Sequence, residues 1–171
     1  MIICEKFPRL VHAVAAFAFA MMLLPASAQN KTPLPQEKPV NGHATGTFDV
    51  NLSSPKMEDG DTTISRIVFS KQFHGDMTGS SGGQMLAAGS PSQGMGGYVA
   101  MEKVSVTLAG RIGGFVLQHT GTMDHGNVQL NIKVVPDSGT GELAGITGTF
   151  NIRIEEGGKH FYDFDYTLPG K

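Results

Sequence analysis

The sequence predicts an all-β fold, a closed or nearly closed antiparallel up-and-down barrel of about eight strands, and three observations carry that expectation. From Gly42 onward apolar and polar residues alternate at period two in one window after another. Short Gly- and Asp-containing turns separate the windows. Thr, Val and Ile outnumber Ala and Leu by about two to one after residue 28, a bias that suits a pleated surface better than helices. All 23 glycines fall in the same stretch. An open sandwich is the alternative arrangement of the same strands.

The chain has 171 residues, Lys+Arg 13 against Asp+Glu 15, and one cysteine. Its first 28 residues read as a signal peptide rather than as fold. Lys6 and Arg9 precede an apolar run from Leu10 to Leu24 broken only by His12, and Ala26-Ser27-Ala28 has the small-residue form of a cleavage site. That run is short beside the roughly 20 residues of a membrane span. Cleavage after Ala28 and a periplasmic or secreted location are expected, with no membrane attachment afterwards. Cys4 lies ahead of the apolar run, so the exported part holds no cysteine, and thiol chemistry and disulfides are excluded there. Residues 29–41 contain Pro33, Pro35 and Pro39 without apolar periodicity and read as an extended tether. Residues 42–171 are then a single barrel domain.

The strands follow in order. Phe48, Val50 and Leu52 share one parity, and Ile64–Phe69 and the Phe73–Leu86 region come next. Tyr98, Ala100, Val104, Val106 and Leu108 form a further face, followed by Phe115, Leu117, His119 and Met123. Val128, Leu130, Ile132 and Val134 alternate most cleanly, and Phe150, Ile152 and Ile154 then precede Tyr162, Phe164, Tyr166 and Leu168. Turns are expected at Asp59-Gly60, Gly113-Gly114, Asp124-His125-Gly126-Asn127, Asp137-Ser138-Gly139 and Gly157-Gly158. Ser80-Ser81-Gly82-Gly83 also reads as a flexible turn. Thr45–Val50 is echoed by Thr147–Ile152, so these two strands pair, hold equivalent places in the barrel, or are alike by chance.

A net charge of −2 gives no pull toward polyanions, and no nucleic-acid partner is expected. His43, His74, His119, His125 and His160 form no metal-ligating spacing, so no metal is expected. Gly139-Thr140-Gly141 lacks the helix and third glycine of a dinucleotide site, and no cofactor is implied. His74 and Asp76 share a strand face, but no nucleophile motif accompanies them.

The segment Gly97–Met123 holds the main chemical candidate. Glu102 shares parity with Tyr98, Val104 and Val106, which places a carboxylate on an apolar face. Either it sits inside, paired or protonated, or a bulge turns it outward, or Arg111 or Lys103 neutralises it. His119 on the following strand could join it.

Several strings together resemble a bacterial family called domain of unknown function 3224. They are Ala44–Val50, Lys71–Asp76, Gly97–Met123, Val134–Gly145 and Lys159–Leu168, and the likeness spans about Gly42 to Leu168. The resemblance implies a barrel of the allene oxide cyclase-like type. Plant allene oxide cyclases and dirigent proteins share that barrel and bind apolar substrates inside it, but no cyclase catalytic motif aligns here and no catalytic residue is transferred.

The expected function is binding of an apolar or mixed-polarity small molecule inside the barrel, lined by Tyr98, Glu102, His119, Tyr162, Phe164 and Tyr166. The alternatives are a cofactor-free isomerase or cyclase in which Glu102 or His119 steers protons, and a structural or interaction module with a packed interior. The strands near Met95 and Met101 offer a face for a homodimer.

Overall fold

The computed structural model describes residues 38–53, 56–57 and 63–170. The expected signal peptide, the tether as far as residue 37 and the Asp59-Gly60 turn lie outside them. Ten strands follow one another: β1 (Val40–Leu52), β2 (Lys56–Met57), β3 (Ile64–Gly75), β4 (Met77–Ser90), β5 (Met95–Leu108), β6 (Arg111–Asp124), β7 (Asn127–Val134), β8 (Thr140–Gly141), β9 (Thr147–Ile154) and β10 (His160–Leu168). The barrel begins at Val40, two residues inside the stretch expected as tether.

Neighbouring strands pair in the order β1-β10-β9-β7-β6-β5-β4-β3, all antiparallel, and β1 pairs with β3 to close the ring. The barrel therefore has eight long staves and no free edge among them, as the period-two pattern predicts. Strand β1 is the seam. Its residues Val40–Phe48 pair with β10, and Gly46–Leu52 pair with β3.

Two of the connections are two-residue turns that need a left-handed backbone at both positions. Ala109 and Gly110 (φ 50° and 74°) join β5 to β6, and His125 and Gly126 (φ 49° and 84°) join β6 to β7. Gly113-Gly114, expected as a turn, instead lies inside β6. The short strand β8 crosses there, and a Cβ on Gly113 would strike the Thr140 carbonyl, so the glycines mark a close approach of two backbones.

Ser80-Ser81-Gly82-Gly83 is likewise not a turn but the middle of β4, paired on both sides with β3 and β5. Two-sided backbone pairing overrides the weak strand preference of Ser and Gly. The break between β3 and β4 falls at Asp76, whose carboxylate accepts hydrogen bonds from the Thr45 N–H (2.8 Å) and hydroxyl (3.1 Å). His74 sits on the outer surface beside Asp49, 3.0 Å away.

The echoed segments occupy equivalent places: β1 and β9 flank β10 on its two sides. Gly46 and Gly148 each leave room for a β10 ring. A Cβ on Gly46 would lie 2.6 Å from the Tyr162 oxygen, and one on Gly148 would lie 2.8 Å from the Phe164 ring. Gly46 faces its direct partner Tyr162, whereas Gly148 pairs with Tyr166 and meets the ring of Phe164 two residues away.

One half of the interior is filled. Phe73, Phe115, Phe150, Tyr162, Phe164, Met77, Leu108 and Leu168 are fully buried there, with Leu143 and Ile146 of the β7–β9 connection packed among them. The rings stack closely, with centroids 5.5 Å apart for Phe150–Tyr162 and 5.4 Å for Phe115–Phe164. The Tyr162 hydroxyl accepts a 2.9 Å hydrogen bond from the Met77 N–H, so even the polar end of that ring is satisfied. Met95 and Met101 are both exposed, as are Val99 and Leu86 on the outer surface.

Candidate functional site

The other half of the interior is hollow. A cavity of about 470 Å³ opens at the end of the barrel where the β4–β5, β6–β7 and β9–β10 turns lie. The reason is side-chain size. Eight staves fix the barrel's width, so the free volume depends on what points inward. Strands β4 to β6 turn Ala87, Ala100 and Gly121 inward in this half, where the same strands supply Met77, Leu108 and Phe115 to the filled half. Inward residues at the lip pay for this with exposure: Leu52 is 62 % exposed, Val128 69 % and Ile154 62 %. They continue the inner alternation of their strands but line the mouth instead of a core.

The cavity floor is polar, built from one inward residue on each of four successive strands. Lys71 comes from β3, Ser81 from β4, Glu102 from β5 and His119 from β6. All four are buried, with Lys71 7 % exposed, His119 3 % and Glu102 0 %. The Lys71 ammonium donates to Glu102 Oε2 at 2.8 Å, and the Ser81 hydroxyl donates to Oε1 at 2.5 Å. His119 Nε2 also lies 2.8 Å from Oε2, so three side chains converge on the carboxylate. Of the expected alternatives for Glu102, the inward, paired one is realised, and the partner is Lys71 rather than Arg111 or Lys103.

Electrostatics follow from this enclosure. Burial alone would push the Glu102 carboxyl up. The close His119 ring, the Lys71 charge and hydrogen bond, and the Ser81 hydroxyl together outweigh it and hold the group below the ordinary carboxylate range. Glu102 is therefore an ionised acceptor with both oxygens occupied. Burial and the nearby Glu102 charge push the Tyr98 phenol up, so it stays protonated.

Lys71 and His119 face the cavity, with Glu102 and Ser81 set behind them. The ammonium is flanked by the Phe48 and Phe69 rings, 4.8 and 5.4 Å from Nζ to the ring centroids. Phe69 lies over Gly83 and Tyr98 over Gly121, their direct cross-strand partners; a Cβ on either glycine would run into the ring. These glycines let the rings lie flat against the wall and keep the centre open.

Of the six residues expected to line a site, Tyr98 and His119 line the cavity and Glu102 anchors its floor. Tyr162, Phe164 and Tyr166 do not line it: they are core residues of the filled half, because the barrel interior is divided along its axis and β10 places them past the floor. Sequence reasoning passed over Lys71 and Ser81. Lys71 shares parity with Phe69 and Phe73, the same signal that singled out Glu102. Among the described residues no group of three or more His, Cys, Asp or Glu side chains is arranged to hold a metal ion.

The family model described as "Protein of unknown function (DUF3224)" matches residues 44–166. A crystal structure of a protein of unknown function from the same family, from Shewanella oneidensis MR-1, is 42 % identical and superposes with a TM-score of 0.68, covering 75 % of this chain and 98 % of that one. No curated protein matches the chain.

Proposed function

The chain belongs to the DUF3224 family of proteins of unknown function, and from that premise we propose that it is an exported barrel whose open half binds an apolar or mixed-polarity small molecule. The observation that carries this reading is the cavity of about 470 Å³, which falls within the range of roughly 300–1,000 Å³ typical of small-molecule sites. Its wall is apolar and its floor presents a few convergent polar groups, the usual division between affinity and orientation. The expected likeness to allene oxide cyclase-type barrels agrees with binding inside the ring, as fold analogy.

Binding is favoured over proton transfer by Glu102. An ionised Glu102 with its carboxyl held low and both oxygens engaged is a weak base, whereas a general base at neutral pH needs a raised value and an open lone pair.

The test is saturable binding of an environment-sensitive naphthalene dye, compared between the wild type and Ala87→Trp, which fills the cavity from β4. Binding that is lost in the variant while its melting temperature is kept supports the reading. Absence of saturable binding, together with no small molecule retained by protein purified from the cell envelope, overturns it. Export is tested by N-terminal sequencing of that material, with Gln29 expected as the first residue.

A further inference from the structure

We propose that the occupant of the open half is a neutral, mainly apolar molecule bearing a carbonyl-type acceptor oxygen that docks on Lys71 Nζ, an assignment that rests on the cavity being a ligand site. The Lys71 ammonium has three donors. Among the described residues Glu102 is its one hydrogen-bonded partner, and the Phe48 and Phe69 rings cover its flanks without offering a lone pair in the usual sense. The remaining N–H groups belong to a residue that lines the apolar hollow. His119 Nε2, on the same floor, is turned to Glu102 Oε2 at 2.8 Å, so the donors left for an occupant are those of Lys71. A buried donor left unpaired is costly, so the floor is built to receive an acceptor.

The charge of that acceptor follows from the pair behind it. Lys71 and Glu102 neutralise each other at 2.8 Å, with the carboxylate fully enclosed. An incoming carboxylate would meet the buried Glu102 charge just behind the ammonium, an arrangement that like charges resist. A pure hydrocarbon would leave the donors unpaired. A neutral oxygen on an apolar body answers both conditions: it accepts from Lys71 without adding charge. Glu102 is then a positioning residue, fixing the ammonium at the floor, and Ser81 fixes Glu102.

The experiment compares three ligands of one shape by displacement of the naphthalene dye. Acetonaphthone carries the ketone, ethylnaphthalene lacks the oxygen, and naphthoate carries the anion. The ketone is expected to bind about tenfold or more tighter than the hydrocarbon, in keeping with a hydrogen bond to a charged donor, and naphthoate no tighter than the ketone. In Lys71→Met the preference for the ketone disappears. Because that variant strands a buried carboxylate, Lys71→Met/Glu102→Gln is measured beside it, and the same loss is expected there. Equal binding of ketone and hydrocarbon, tighter binding of naphthoate, or a ketone preference that survives in the double variant each overturns the proposal. Failure of all three to displace the dye from folded wild-type protein removes the ligand-site reading itself, so the two failures are distinct.

Discussion

Lys71 and Glu102 form an ion pair across a strand that lies between them: the ammonium on β3 passes over β4 to reach the carboxylate on β5, 2.8 Å away. The crossing is possible because β4 turns only Gly79, Ser81 and Gly83 inward along this stretch, and Ser81 adds its own hydrogen bond to the carboxylate. Residues of ordinary size there would separate the charges.

Removing one partner of this pair is predicted to be worse than removing both. Lys71→Met should lower stability by about 3–5 kcal/mol, the usual cost of stranding a buried charge. Adding Glu102→Gln should recover most of that loss. Chemical denaturation of the wild type, both single variants and the double variant measures the coupling.

Stability should fall in acid through Glu102. The folded state holds this carboxyl below its ordinary value, so the unfolded chain binds more protons in the interval between the two. Its contribution is fully present above the ordinary Glu value of about 4.3 and is lost as pH drops through the lowered one. Melting temperatures taken from neutral pH downward should decline less steeply in Glu102→Gln than in the wild type.

Gly121→Ala is predicted to damage the cavity more than the fold. The new methyl would take the space of the Tyr98 ring, which must swing off the wall. Dye affinity should drop, because the displaced ring takes up volume that the ligand needs. Thermal unfolding of the same variant should shift little.

The two halves of the interior should separate in mutagenesis. Phe164→Ala, in the filled half, should cost about 3–5 kcal/mol through the cavity it leaves, with dye affinity unchanged. Leu52→Ser, at the mouth, should change stability by less than about 0.5 kcal/mol. Paired unfolding and binding titrations check both.

The ring of strands was legible because its signal is local and repeated. Val128, Leu130, Ile132 and Val134 announce an inner face by parity alone, and Asp124-His125-Gly126-Asn127 announces the turn before them. Parity also placed Glu102 inside. What parity lacks is a coordinate along the barrel axis: Tyr98 and Tyr166 both point inward, yet one borders the hollow and the other belongs to the packed end. Glycine gave the other misreadings. At Gly83 and Gly113 it marks where a ring or a second backbone approaches, and the approaching partner is distant in sequence.

The division of the interior has a consequence for divergence and redesign. Cohesion is concentrated at the aromatic end, so selection can retailor Leu52, Val128 or Ile154 at the lip without renegotiating the fold. A single scaffold of this kind can be respecialised for new cargo one rim position at a time.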